Sequence, residues 1–382
     1  MPSRLLSVPL LALLAALLVA GSPLRAADFE TKAQHAIVID FESGQILFAK
    51  DADVAVPTAS MSKLMTIYML LERISSGALS LDDTLPVSTK AWKKGGSKMF
   101  VEVGKQIRVE DLLRGIVIQS GNDASIVVAE GLAGSEDAFA EQMTRRAREL
   151  GLENTQLRNA TGWPDPEHLM SVHDLARLAI LTIRNFPDFY PIFSEKSFTY
   201  SEITQRNRNP LLYRGVGADG LKTGHTENAG YGLTASAVRG DQRLVMVMAG
   251  LDSSRERGDE AERLLKWAFR TFATYRLGSA GDAVTEAEVW LGQSTKVPLM
   301  LGEDLLVSMA RADRERMKVE AVYDGPVPAP ITRGQQVGRL VVTADGARIA
   351  TAPLLAAADV AALGPFGRIG AALAHVIWGA GG

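Results

Sequence analysis

The sequence predicts an α/β fold of the α+β kind: an antiparallel sheet flanked by helices, then a small all-β sandwich and a C-terminal amphipathic helix. Three observations carry this. Strand-like patterns lie at both ends of a long helical middle, which assembles one antiparallel sheet from distant parts of the chain and packs helices on it. A Gly-rich break at Leu277 to Asp282 separates that unit from a series of short β runs. The last stretch carries apolar residues at helical spacing. At 382 residues, 47% apolar and 22% charged, the chain is ordinary globular material long enough for two domains. Its formal charge of −3 gives no reason to expect a nucleic-acid partner.

Taken in order, residues 1–26 read as a signal peptide. Arg4 precedes an apolar run from Leu5 to Gly21, then come Ser22, Pro23 and a small-residue site ending at Ala26. The competing reading is a retained anchor, but the run is near the short end for spanning a bilayer and Pro9 interrupts it. The chain has no cysteine, which excludes disulfides, a cysteine nucleophile and thiolate metal sites. Next, "AIVIDFESGQILFAKD" alternates around Ser43-Gly44, a hairpin signal. In "PTASMSKLMT" and beyond, Met61, Leu64, Met65 and Tyr68 recur at i, i+3, i+4 and i+7 behind a start signal at Pro57 and Thr58.

From about Leu81 to Ala160 the pattern is largely helical, with a break at Gly121 in the middle of an apolar periodicity. A further helix, Val172 to Ile183, follows the turn-rich "NATGWPDPEH". Two β-like runs separated by Arg239-Gly240-Asp241 come next, then an amphipathic helix from about Arg257 to Tyr275. The first domain is therefore placed at 27–276. Short runs "VTEAEVWLG", "KVPLMLG", "DLLVSMA", "MKVEAVYDG" and "RLVVTADG" define a β-rich domain over 283–362, roughly a sandwich of two short sheets. In 363–382, Phe366, Ile369, Leu373, Val376 and Ile377 form a stripe, with Arg368 and His375 elsewhere on the wheel. Such a helix suits a membrane interface or docking on its own β domain.

The chemistry starts at Ser60 and Lys63, which share a helix face. A serine hydroxyl is a poor nucleophile until its proton is removed, and a lysine one turn away can remove it only when neutral. Burial and the positive end of a helix both favour the neutral amine. S-x-x-K alone is a weak signal. Two more stretches strengthen it: Ser120-Gly121-Asn122, at the unexpected helix break, and Lys222-Thr223-Gly224, where Gly224 permits close approach of a backbone to a ligand. S-x-x-K, S-x-N and K-T-G in that order are the set shared by penicillin-binding proteins and class A β-lactamases.

With "QSGNDA", "NRNPLL", "DGLKTGHT" and "AGYGLTASA" added, the chain resembles the low-molecular-weight penicillin-binding proteins of the serine-type D-alanyl-D-alanine carboxypeptidase family, peptidase S11. The resemblance implies a penicillin-recognising serine transpeptidase/β-lactamase-like domain, a β-rich C-terminal domain, and a periplasmic enzyme whose terminal helix lies on the outer face of the inner membrane. It implies a peptidoglycan stem pentapeptide as substrate, β-lactams as covalent inhibitors, and no cofactor. Ser60 is then the nucleophile, Lys63 its base, Ser120 a proton relay, Asn122 a hydrogen-bonding amide and Lys222 a positive charge near Ser120. The backbone N–H groups of Ser60 and His225 are the implied oxyanion donors, and Thr223 and Gly224 line the substrate strand. Arg257, in a pattern like the family's R-x-x-E-x-x-x-L-L-x-W, is the expected carboxylate partner, with Arg208 a second candidate; for each the alternative is a structural salt bridge.

Other features carry less. His168 and His173 are five apart, which matches no standard zinc pattern, and no metal is expected. The chain has Gly162-Trp163 where many relatives carry His-Gly-Leu, which leaves open that loop's part in substrate choice; Trp163 and Trp92 are core or rim aromatics. A β-lactamase reading lacks an E-x-x-L-N loop, since Glu153 and Glu167 stand outside that pattern. A D,D-endopeptidase cleaving cross-links would share all three motifs, and a catalytically silent cell-wall scaffold is the alternative of another class.

Overall fold

In a computed structural model of the chain, residues 29–367 and 369 are described. A five-stranded antiparallel sheet is built from β1 (His35–Asp40), β2 (Ile46–Lys50), β3 (Ala218–Thr226), β4 (Gly230–Arg239) and β5 (Gln242–Leu251), in the order β2-β1-β5-β4-β3. β1 and β2 form the hairpin expected around Ser43-Gly44. The late region holds three strands, where two were expected. Glu227, Asn228 and Ala229 form the extra turn, without the Gly-Asp signature that marks the next one.

Both faces of this sheet are buried. Ile37, Ile39, Val245 and Val247 point into one core, and Val38, Leu244, Met246 and Met248 into the other. That is why β5 reads as a continuous apolar run where a half-exposed strand would alternate. The first core is covered by α1 (Lys63–Ser75), α2 (Val109–Val117), α3 (Asn122–Ala133), α4 (Glu136–Glu149) and α5 (Val172–Asn185). The second is covered by α6 (Ser254–Thr271), through Ala261, Leu264, Leu265 and Ala268.

Boundaries differ from expectation where a local device outweighs periodicity. α6 starts at Ser254 because Ser253 caps it, its Oγ accepting from the Glu256 N–H at 3.1 Å, and it stops before Phe272, so Tyr275 is already in a strand. The stretch from Leu81 to Arg108 is mostly not helical. Thr84–Pro86 pairs with Gln106–Arg108, a short helix spans Thr89–Lys93, and a loop with left-handed Gly96 and Gly104 fills the rest. The turn before α1, Ala59–Ser62, is a 3-10 helix.

Phe272–Gly278 pairs with Leu305–Ala310, so this strand runs across the expected domain boundary and joins the β domain. Every β run read from the sequence there is a strand. A six-stranded sheet also contains Ala347–Ala356, which the sequence reading passed over, and the domain core gathers Val297, Leu299, Val307, Val342 and Leu354. A polar seam joins the two domains. Buried Asp40 accepts from Thr274 Oγ1 at 2.5 Å and from Ser43 Oγ at 2.9 Å; Ser43 Oγ lies 2.8 Å from Ser308 Oγ; and Gln45 Nε2 donates to the Ile349 carbonyl at 2.7 Å.

Among the described residues no helix is long and apolar enough to cross a membrane. The expected signal peptide and most of the expected terminal helix, including Leu373, Val376 and Ile377, lie outside the described residues. Phe366 and Ile369 are exposed.

Candidate active site

Ser60 stands on the 3-10 turn and Lys63 opens α1, fully buried. Their spacing brings Lys63 Nζ to 2.7 Å from Ser60 Oγ. The same nitrogen lies 2.7 Å from Asn122 Oδ1 and 2.5 Å from the Thr161 carbonyl oxygen. Burial holds this amine well below the ordinary lysine range, and the positive charges of Arg208 and Lys94 push the same way. A neutral amine fits the three partners: two N–H groups donate to the two carbonyl oxygens, and the lone pair faces the Ser60 hydroxyl. Such a pair has the geometry for a nucleophile and its base.

The helix break at Gly121 separates α2 from α3. Ser120 sits in it with a left-handed φ of 59°, and the Gly121 N–H donates to the Gly115 carbonyl at 2.9 Å. Asn122 then opens α3, its Nδ2 donating to the Gly95 carbonyl at 2.8 Å while Oδ1 serves Lys63. Ser120 Oγ accepts from Lys222 Nζ at 2.8 Å. Lys222 projects from β3 and is buried; desolvation, then the fields of Lys63, Arg208 and Arg257, hold its pKa well below the ordinary value.

Glycines let three backbones meet at the nucleophile. A Cβ on Gly224 would lie 2.5 Å from the Thr58 carbonyl oxygen, so the edge strand β3 can lie on the Ser60 turn only without a side chain there. Gly162 has φ +70°, and a Cβ on it would lie 2.0 Å from the Ala59 carbonyl oxygen.

A cavity of about 440 Å³ extends from Ser60 past Ser120, Thr223 and Tyr231 to Arg208 and Arg257. Arg257, on α6, is only 7% exposed. Its guanidinium lies 5.6 Å from the Tyr231 ring and donates to Ser254 Oγ at 3.3 Å, while its Nε has no hydrogen-bond partner and no carboxylate pairs with it among the described residues. Burial lowers its pKa to about 10, which leaves it a cation at neutral pH. Arg208 is exposed and donates to Ser97 Oγ. Its loop is fixed by its neighbours: Asn207 Oδ1 accepts from the Asn209 N–H at 3.0 Å, and Asn209 Nδ2 donates to the Gly220 carbonyl at 2.7 Å. His225 is exposed and stacks on Tyr231 at 3.8 Å. Ser60, Ser120, Arg208, Thr223, Gly224, His225 and Arg257 therefore line this cleft, with Lys63, Asn122 and Lys222 joined to them by hydrogen bonds. Among the described residues neither arginine is tied up in a salt bridge.

Two contributors, Asp123 and Thr161, were missed, and a third, His168, was weighed only as a metal ligand. Buried Asp123 accepts from the N–H groups of Met99, Phe100 and Val101 at 2.8, 2.8 and 3.2 Å and so pins the loop over the cleft; its signal was a carboxylate inside "QSGNDA", in the first turn of an apolar helix. Thr161 acts through a backbone carbonyl, which no side-chain pattern reports. His168 accepts from the Arg158 N–H at Nδ1 (3.1 Å), so Nε2 carries the proton and donates to Ser62 Oγ at 2.8 Å, and Ser62 donates to the Ala59 carbonyl at 2.9 Å. Burial lowers its pKa to about 4, so it is neutral. His173 is elsewhere, bonded to Asp53 at 2.7 Å. Trp92 and Trp163 are both exposed, not core, and of the two only Trp163 lines a cavity at Ser60.

A serine paired with a buried, desolvated lysine, a second serine paired with a second buried lysine, and an edge strand with two arginines beside it define a penicillin-recognising serine hydrolase. Residues 22–253 match the family model of peptidase S11, D-alanyl-D-alanine carboxypeptidase, and residues 272–362 match the C-terminal domain of penicillin-binding protein 5. The chain belongs to the D-alanyl-D-alanine carboxypeptidase family and is a serine peptidase of that type. It is 35% identical to D-alanyl-D-alanine carboxypeptidase DacA of Haemophilus influenzae over 343 residues, 88% of this chain and 87% of that protein. It is 36% identical to DacC of Escherichia coli over 341 residues, 87% of this chain and 85% of that protein. The crystal structure of penicillin-binding protein 5 from H. influenzae aligns with a TM-score of 0.82 at 34% identity, over 88% of this chain and 99% of that one.

Proposed function

We propose that Ser60 attacks the carbonyl between the last two D-alanines of a peptidoglycan stem pentapeptide. The observation that carries this is the Lys63 amine, desolvated and 2.7 Å from Ser60 Oγ. Lys63 takes the Ser60 proton as the C–O bond forms, and the backbone N–H groups of Ser60 and His225 hold the oxyanion, each such donor contributing roughly 3 kcal/mol. As the C–N bond breaks, Ser120 passes a proton to the departing D-alanine amine and Lys222 re-protonates Ser120. Asn122 orients Lys63 and the acyl chain. The substrate's terminal carboxylate is held by Arg257 and Thr223 beside Gly224, with Lys222 and Arg208 adding positive charge. Water then cleaves the acyl-enzyme. A β-lactam enters the same way and leaves Ser60 acylated.

Arg257 in the cleft, with no carboxylate partner among the described residues, supports carboxylate capture. The apolar leader at 1–26 supports export to the periplasm, and exposed Phe366 and Ile369 support peripheral association of segment 363–382 with the outer face of the inner membrane, beyond a catalytic domain that runs from 27 to 271 and a β domain from 272 to 362. The test is incubation of the protein and its Ser60→Ala variant with a pentapeptide ending in D-Ala-D-Ala and with a cross-linked muropeptide. D-Alanine from the pentapeptide, absent in the variant, is the expected result. Cleavage of the cross-link alone would move the reading to an endopeptidase, and neither activity to a scaffold.

A further inference from the structure

The Ala59 carbonyl and the Ser60 N–H are the two ends of one peptide unit. The unit is planar, so whatever holds the oxygen also aims the N–H. Ala59 has φ +48°, a left-handed conformation that a residue with a Cβ adopts only when its surroundings impose it. Two buried side chains supply that hold. Ser62 Oγ donates to the Ala59 oxygen at 2.9 Å, and His168 Nε2 donates to Ser62 Oγ at 2.8 Å. Resting on the reading of the Ser60 N–H as an oxyanion donor, we propose that Ser62 and His168 are positioning residues of the oxyanion hole, which fix the direction of that N–H and strengthen it as a donor.

The direction of this chain is set at its far end. Because His168 Nδ1 accepts from the Arg158 N–H at 3.1 Å, the ring proton is on Nε2; Ser62 accepts that proton and has its own left for the Ala59 oxygen. Hydrogen bonds aligned head to tail polarise one another, and the last member here is the peptide whose N–H meets the developing negative charge. Ala59, Ser62 and His168 are all buried, so water does not compete for these bonds. The same atoms are hemmed in by Gly162, where an added Cβ would lie 2.0 Å from the Ala59 oxygen and 2.8 Å from Ser62 Oγ. The loop that carries His168 also carries Thr161, whose carbonyl accepts from Lys63 Nζ at 2.5 Å. One loop therefore orients both the base and, through Ser62, the oxyanion donor.

The test follows acylation of the full chain by benzylpenicillin in Ser62→Ala, Ser62→Thr, His168→Gln and His168→Leu, with the infrared band of the ester carbonyl on Ser60 as a second readout. In Ser62→Ala the acylation rate constant should fall by about tenfold, less than the roughly 10²–10³ of a deleted oxyanion donor because the N–H is loosened and not removed. Dissociation of the non-covalent complex, which precedes any oxyanion, should change by less than about twofold. The ester band should move to higher frequency, since a weaker donor leaves the carbonyl more double-bond character. Ser62→Thr keeps the hydroxyl and His168→Gln keeps an N–H donor, so both should restore the band and all but about threefold of the rate. His168→Leu leaves the Ser62 hydroxyl without its donor and should shift the band the same way by a smaller amount. A normal acylation rate in Ser62→Ala overturns the proposal. So does a slower rate with the ester band unmoved in both Ser62→Ala and His168→Leu, which marks a merely structural contact. Failure of the unaltered protein to form any adduct on Ser60 overturns instead the functional reading beneath it, a separate result.

Discussion

Replacing Gly162 by alanine puts a methyl carbon 2.0 Å from the Ala59 carbonyl oxygen, at a φ of +70°. A normal contact needs about 3.2 Å or more, so something must move by over an ångström. Ala59 directly precedes the nucleophile and its oxygen already accepts from Ser62, while Thr161 on the other side supplies the carbonyl that orients Lys63. Whichever segment yields, the 2.7 Å contact between Lys63 Nζ and Ser60 Oγ opens. The left-handed conformation costs an alanine about 1–2 kcal/mol, and the overlap raises the total to roughly 3 kcal/mol. For a domain of this size that lowers Tm by about 6–12 °C. A displacement near 1 Å at a reacting atom costs about a hundredfold in rate. Gly134→Ala is the control, because Gly134 has φ +79° with nothing within 4 Å of an added Cβ. It should lose about 1 kcal/mol and leave catalysis alone. Thermal unfolding followed by calorimetry, with penicillin acylation rates for both variants, decides the matter: a Gly162→Ala protein that acylates at the normal rate would refute the reasoning.

Arg257→Ala, which removes a buried cation from the cleft, should lower kcat/KM for the pentapeptide by about 10²–10³-fold through a desolvated charge pair, and Arg208→Ala, an exposed residue, by about tenfold or less; steady-state kinetics with the two variants separate them. Because burial and neighbouring cations depress the Lys63 pKa, the base is already neutral well below 10.5, and kcat/KM should reach its plateau on the acid side of that value; a limb titrating near 10.5 would contradict the assignment. His168 is neutral when folded, with a pKa near 4 against an ordinary 6.5, so the unfolded chain binds more protons between those values and stability falls as pH drops through that window. The loss should approach about 3 kcal/mol by pH 4 and shrink in His168→Gln, as denaturant titrations at several pH values would register.

The catalytic cluster was legible because its parts are side chains at set spacings. Ser60 and Lys63 announce themselves by a shared helix face, and Ser120-Gly121-Asn122 by a break that apolar periodicity does not call for. What stayed hidden works through backbone or across long sequence gaps. The Thr161 carbonyl leaves no trace in residue type, and His168 reaches Ser62 across 106 positions. The loop from Leu81 to Arg108 reads as helical because apolar residues recur there, yet it is held by the Asp123 carboxylate from α3 and not by its own periodicity. The third late strand was concealed by a turn, Glu227-Asn228-Ala229, lacking the usual glycine.

The seam between the domains also decides where force goes. Asp40, Ser43 and Gln45 grip Thr274, Ser308 and Ile349 through hydrogen bonds, which resist twisting as well as separation. They sit beside β2, at one margin of the sheet, while β3 and the reacting groups occupy the opposite margin, with three strands between. Tension applied to the β domain therefore reaches the catalytic body by two routes, the β1–β2 corner and the covalent joint at Thr271–Phe272, where α6 runs into the β domain.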